Sequence, residues 1–256
     1  MTVDVAKAVE VARRAVEAAA EIQLRHFRAG VSVETKADRS PVTIADKESE
    51  AGIFAILRGA FPDHALLGEE TGKHGESEWC WVVDPLDGTR GFTRGGTCWG
   101  PIVGLAHRDR AVAGAFALPA SGVAFWGAPG VGAFRNGEAV RVSRIREIAD
   151  ATLSLGELRL LAENPGLSRL AKEAASTRCW GDVGGAAMLL EGKAEAWIEC
   201  GVKPWDLCGI VPIVEAAGGR FTDFEGRPGF ASGDAIASNG HVHDAIASAL
   251  APRTRA

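Results

Sequence analysis

Trp81-Val82-Val83-Asp84-Pro85-Leu86-Asp87-Gly88-Thr89-Arg90-Gly91-Phe92 is the stretch whose reading decides the fold of this chain. Its apolar start, from Trp79 to Val83, reads as a short strand running straight into acidic residues. Pro85 fixes its own φ and has no N–H, while Gly88 lets the backbone approach a ligand closely. Asp84 and Asp87, three residues apart around a tight turn, can therefore face one point, with the Leu86 carbonyl as a further oxygen. The backbone N–H groups of Gly88 and Thr89 fall at a predicted helix start, where orphan amides can hold a phosphate. An Asp-Gly pair alone is a common turn, so the reading needs support from elsewhere in the chain.

That support lies on both sides. Upstream, Ala65-Leu66-Leu67 reads as a strand followed by Gly68-Glu69-Glu70; downstream, Trp205-Asp206 opens a predicted helix. Alone, Glu69-Glu70 would be a solvated loop and Asp206 a helix cap. Acids gathered at several strand and helix ends repel one another within about 4–6 Å and need a cation. Magnesium answers that need, because it takes oxygen ligands and keeps several waters.

The remaining pattern surrounds these acids with alternating elements. Helical spacing runs from Val3 to Phe27, with Gly30 as a stop, and a second helix begins at Thr43, whose spacing to Asp46 is that of a capping pair. From Trp99 to Val142 the pattern is β, with apolar runs at 102–106, 111–118 and 122–126 and an Asn136-Gly137 hairpin signal. The C-terminal half alternates: strands at 152–155, 194–200, 220–224 and 235–238, and helices at 167–175, 186–190, 204–217 and 242–250. This order predicts an α/β (α+β) architecture of mixed sheets covered by helices. An N-terminal half, residues 1–145, would carry most of the acids, and a C-terminal half, residues 146–256, would carry Asp206. The join is expected near 143–150, without a long tether.

Composition narrows the function classes. The chain has 256 residues, 46% hydrophobic and 24% charged, with a formal charge of -5, which argues against a general nucleic-acid binder. No apolar run reaches the ~20 residues of a membrane span, and the first residues lack a secretory pattern, so a cytoplasmic location is expected. The five cysteines, Cys80, Cys98, Cys179, Cys200 and Cys208, form no Cys-x-x-Cys pair and are expected as reduced packing residues. His241 and His243 lack the companions that a metal needs, and a capping or surface role is expected. There is no Gly-x-Ser-x-Gly elbow, and Gly130-Val131-Gly132 completes no dinucleotide fingerprint.

At 81–92, and again at Trp205-Asp206-Leu207-Cys208-Gly209 running to Glu215-Ala216-Ala217-Gly218-Gly219, the chain resembles the inositol monophosphatase family. Pro41-Val42-Thr43-Ile44-Ala45-Asp46 and Gly68-Glu69-Glu70 match in order and approximate spacing. The resemblance implies a layered α-β-α-β-α sandwich, commonly dimeric, that hydrolyses phosphate monoesters of small soluble metabolites. It implies two or three Mg2+ ions: one on Glu69, Asp84 and the Leu86 carbonyl, a second on Asp84, Asp87 and Asp206, and a weaker third leaning on Glu69. Asp46 and Thr89 would orient the attacking water, with Glu69 also placed in the catalytic set. Lys36 would tune the charge of the metal site, and lithium would inhibit by displacing a weakly held magnesium.

For the substrate, the resemblance implies contacts from Gly88, Thr89, Arg90, Gly181, Asp182, Glu199 and Asp206. Arg90 stands where inositol enzymes carry an uncharged residue. Lys203-Pro204-Trp205-Asp206 and Gly181-Asp182 resemble the histidinol-phosphatase branch, whereas Val183-Gly184-Gly185 departs from it. Asp182 and Glu199 would suit a cationic amino-alcohol. Histidinol phosphate, and so histidine biosynthesis, leads. Inositol 1-phosphate and a broad sugar or nucleotide 3′-phosphate activity follow. A noncatalytic binding module on the same fold is the alternative from another class, disfavoured by the intact acidic set and the negative charge.

Overall fold

Alternation along the Trp79–Asp87 strand sets the layering, because successive side chains of a strand point to opposite faces. Trp81 and Val83 pack with Ala12, Val16, Ile53 and Leu57 of the first two helices, while Val82 joins a second core with Val183, Leu189, Leu207 and Ile213. The computed structural model describes residues 3–29, 33–35 and 41–251. Its eight-stranded sheet runs, edge to edge, through Glu138–Ala139, Gly132–Arg135, Val123–Ala128, Arg110–Leu118, Gly100–His107, Trp79–Asp87, Ala65–Gly68 and Gly72–His74. Only Ala65–Gly68 and Trp79–Asp87 pair in parallel there, so both of these strands deliver their acidic C-terminal ends to the same side.

A five-stranded sheet follows, in the order Ser176–Arg178, Thr152–Leu155, Ala196–Cys200, Asp234–Ser238 and Arg220–Thr222. Helices Asp182–Leu190, Pro204–Cys208 and Val211–Ala216 lie between the two sheets within one continuous core. On the outer face of the smaller sheet, Leu153, Ile198 and Ile236 pack against Leu167, Leu170, Ile246 and Leu250. The result is the expected α-β-α-β-α sandwich. Among the described residues no helix is long and apolar enough to cross a membrane.

Local chemistry explains most element ends. The first helix, Val5–Ala29, buries Ala8, Val11, Ala12, Ala15, Val16 and Ala19, a stripe whose small side chains let it lie close to the sheet. Thr43 caps Ile44–Ala60, accepting from the Ala45 N–H while the Asp46 carboxylate accepts from the Thr43 N–H. Asn136 and Gly137 adopt φ values of 50° and 90°, as a tight hairpin demands, and Arg135 pairs with Glu138 across it.

Four expectations need correction. The strand from Trp79 does not stop at Val83 but continues to Asp87 through a register shift. The helix expected over 204–217 is two, Pro204–Cys208 and Val211–Ala216. Pro212 has no N–H for the carbonyl one turn back, and the break at Gly209 seats backbone against the large sheet: a Cβ on Gly114 would lie 2.0 Å from the Gly209 oxygen. Cys98 and Cys179 are exposed rather than packed, although Cys208 is buried. His243 is not on the surface; it is fully buried. The helix expected to start at Gly88 and Thr89 is the single turn Thr89–Phe92, whereas the strands Gly72–His74 and Ser176–Arg178 and the helix Leu158–Leu161 span too few residues to show a period and were not expected. Gly30 and Lys36 lie outside the described residues.

Candidate active site

The end of one strand and the first turn of a helix bring three of the expected acids together. Asp84, Asp87 and Asp206 each offer a carboxylate oxygen within 4.8 Å of the others. Asp84 stands just before the register shift, is 2% exposed, and accepts the Leu86 N–H at 2.9 Å on Oδ1. Asp87 stands just after it, its Oδ2 taking the Val183 N–H at 2.6 Å. Asp206 lies in the first turn of its helix, accepting the Lys203 N–H at 2.7 Å. Glu69 follows the parallel strand, its N–H donating to the Val83 carbonyl at 3.1 Å, which places the Glu69 turn beside the strand that carries Asp84.

The electrostatics of this group call for a cation. Burial first, then the charges of Glu69, Asp87 and Asp206, hold the Asp84 carboxyl well above the ordinary range. Asp87 is raised in the same sense by burial and by Asp182 and Asp206, and Asp206 is pushed up to about 6, mainly by burial. An all-oxygen set of mutually repelling carboxylates, one buried and two half-buried, matches the hard donor chemistry of magnesium. The residues present therefore fit the ion.

Asp46 and Thr89 meet at the edge of this group. The Asp46 Oδ2 accepts from the Thr43 hydroxyl and N–H, both at 2.7 Å. Its Oδ1 lies 3.3 Å from the Thr89 hydroxyl, which is also 2.9 Å from the Leu86 carbonyl. Gly88, at φ 77°, is a position where the left-handed backbone favours glycine, and a Cβ there would lie 2.6 Å from the Cys98 oxygen.

A cavity of about 470 Å³ opens over the acids, bordered by Glu69, Thr89, Arg90, Gly181 and Asp182. An adjoining cavity of about 220 Å³ shares Asp182, Glu199 and Asp206 with it. Glu199, 5% exposed, accepts from the Glu157 N–H at 2.7 Å and the Trp197 indole N–H at 3.2 Å. Burial, with Asp182 nearby, nevertheless pushes its carboxyl up to about 7. Asp182 opens to the cleft at the first residue of its helix with φ 53°, an uncommon backbone conformation, and its carboxyl is raised by burial and by the charge of Glu157.

Every expected site residue within the described region borders this group or its cleft, and sequence reasoning missed three more. Glu50 is buried one turn beyond Asp46 on the same helix face, and its Oε2 takes the Glu70 N–H at 2.9 Å. A Cβ on Gly68 would lie 2.3 Å from that oxygen, so the glycine leaves room for the carboxylate to hold the Glu69 turn. The spacing from Asp46 to Glu50 was the available signal. Gln23 is a buried polar residue within the apolar stripe of the first helix. Glu157 lies on the cavity wall in a short loop that offers no sequence signal.

Comparison with known proteins agrees with this geometry. The profile of the inositol monophosphatase family matches residues 4–255. A histidinol-phosphatase of Chlorobaculum parvum is 35% identical over 243 residues, covering 93% of this chain and 92% of that protein. A histidinol-phosphatase of Streptomyces coelicolor is 34% identical over 243 residues, covering 90% and 91%. The solved inositol monophosphatase from Anabaena (Nostoc) sp. PCC 7120 superposes with a TM-score of 0.85 at 29% identity, covering 97% of this chain and 96% of that one.

Proposed function

This chain belongs to the inositol monophosphatase family and is a phosphatase, and from that premise we propose that its substrate is histidinol phosphate, cleaved with magnesium held by Glu69, Asp84, Asp87, Asp206 and the Leu86 carbonyl. The observation that carries the reading is the convergence of carboxylates from distant parts of the chain at the floor of a cleft whose far wall is also acidic. Magnesium, when bound, supplies Lewis-acid charge that acidifies water and offsets the negative charge gathering on the phosphoryl and leaving oxygens.

The chain's own groups do the positioning. The Thr89 hydroxyl has one proton and two acceptors within reach, Asp46 and the Leu86 carbonyl. Donating to Asp46 leaves the Thr89 oxygen able to accept a hydrogen bond from an attacking water, so that the pair orients the water and draws off its proton. Arg90, with the backbone of Gly88 and Thr89, borders the phosphoryl end of the cleft. Gly181, Asp182 and Glu199 border the other end, where two carboxylates favour an ammonium over a neutral polyol. The likeness to two histidinol-phosphatases supports that choice, and the departure at Val183-Gly184-Gly185 keeps inositol 1-phosphate as the second reading.

The test is a comparison of kcat/KM for histidinol phosphate, inositol 1-phosphate, fructose 1,6-bisphosphate and adenosine 3′,5′-bisphosphate in magnesium. Histidinol phosphate is expected to lead by about tenfold or more, the effect of roughly one well-placed charged contact. A higher value for inositol 1-phosphate would overturn the substrate and leave the chemistry standing. Asp84→Asn is expected to lower turnover by at least about a hundredfold, since residues that merely orient metal ligands already cost 10–100-fold. Activity unaffected by that change would remove the proposed metal centre.

A further inference from the structure

Gln23 is fully buried on Val5–Ala29, and its carboxamide leaves the helix for the acidic strand. Its Nε2 donates to the Pro85 carbonyl at 2.5 Å and lies 3.4 Å from the Ser49 hydroxyl. Pro85 falls inside the register shift, where Asp84 pairs with Ile102 and Asp87 with Gly100 but the two residues between have no register partner. A buried carbonyl left unpaired there would be destabilising. Gln23 supplies the missing donor.

The same peptide is held from its other side. The Leu86 N–H, which shares a plane with the Pro85 carbonyl, donates to Asp84 Oδ1 at 2.9 Å. A peptide unit is rigid about its C–N bond, so a group that fixes the carbonyl also fixes the direction of the N–H. The chain of contacts therefore runs from the Gln23 amide, through one peptide plane, to the Asp84 carboxylate, each bond polarising the next. We propose that Gln23 is a positioning residue for the metal centre, orienting Asp84 through the Pro85–Leu86 peptide; this rests on the reading of Asp84 as a metal ligand. Ser49, on the second helix, steadies the carboxamide from behind.

Gln23→Met removes the donor at nearly constant volume, and binding of Mn2+ to the substrate-free protein is measured by calorimetry. The expected result is about tenfold weaker binding, the worth of one hydrogen bond of about 1.4 kcal/mol. Val16→Ala, a buried change two turns earlier on the same helix, controls for simple destabilisation and is expected to bind Mn2+ as the unaltered protein does. Gln23→Leu also lacks a donor and carries the test where the methionine variant does not fold; it should weaken binding about as much. Unaltered Mn2+ affinity in the Gln23 variants, or an equal loss in Val16→Ala, would overturn the positioning role and leave the phosphatase reading intact. Undiminished Mn2+ binding in Asp84→Asn would instead overturn the metal assignment beneath it.

Discussion

An added methyl group at Gly156 would displace the carboxylate that lines the cleft. A Cβ built there lies 1.7 Å from Glu199 Oε2, and the Gly156 N–H is committed to the Ile198 carbonyl at 2.9 Å, so the backbone has little freedom to retreat. Gly156→Ala is therefore expected to swing Glu199 out of its place beside the Glu157 N–H and Trp197. On the proposed reading Glu199 serves the substrate end rather than the metal end, so KM for a cationic phosphomonoester should rise about tenfold while the magnesium dependence stays put. Steady-state kinetics with varied substrate and varied metal separate the two, and an unchanged KM would mean that Glu199 does not touch the substrate. The position of Glu199 on its strand could be read from the sequence. The space that Gly156 leaves for it could not, because the two residues are far apart along the chain and meet only through the pairing of Thr152–Leu155 with Ala196–Cys200.

Among whole elements, the last helix shows how a titratable group can fasten secondary structure. His243, its first residue, is buried, with Nε2 2.9 Å from the Thr222 hydroxyl and Nδ1 2.8 Å from the Ser238 hydroxyl, so that the helix is tied to two strands at once. Burial, helped by nearby Arg220 and opposed by Asp244, lowers its pKa from 6.5 to about 4. Between those values the unfolded chain binds a proton that the folded one refuses. Stability from this group is thus complete above the unfolded pKa of 6.5 and is lost as pH falls toward about 4, with a limiting slope of about 1.4 kcal/mol per pH unit. Denaturant midpoints at about pH 7 and about pH 5 should diverge more in the unaltered protein than in His243→Gln. Equal divergence in both would assign the acid sensitivity elsewhere. A histidine at the start of an amphipathic helix reads as polar surface, which is why its burial escaped sequence reasoning. The Thr43–Asp46 cap, whose partners lie three residues apart, was fully legible. Local pairs can be read along the chain, whereas pairings such as His243 with Thr222 require the fold.

For the molecule as a whole, the same distinction separates what the sequence displayed from what it withheld. Mixed sheets covered by helices could be read from the alternation of strand and helix periods, the layered sandwich only from the family resemblance, and the acids because each stands at the end or start of an element near Gly or Pro. The supports beneath them, Gln23 and Glu50, were hidden within an apolar helix stripe and a buried helix face. What the whole fold achieves is to concentrate like charge where water is scarce, and this has a thermodynamic signature. With Asp206 raised from 3.8 to about 6, and Asp84 and Asp87 raised well above the ordinary carboxylate range by burial and by their neighbours' charges, the metal-free folded protein binds protons that its unfolded chain does not. Its stability from these groups is present at low pH and is lost as pH rises through the folded pKa values. Magnesium needs the ionised carboxylates, so it should restore stability mainly on the alkaline side, adding about 2.7 kcal/mol at a hundred times its dissociation constant. The rise in Tm on adding magnesium is accordingly expected to be clearly larger at about pH 7.5 than at about pH 5. It should vanish when Asp84, Asp87 and Asp206 are all replaced by Asn. A rise that is the same at both pH values, or that survives the triple replacement, would place the ion somewhere other than among these three carboxylates.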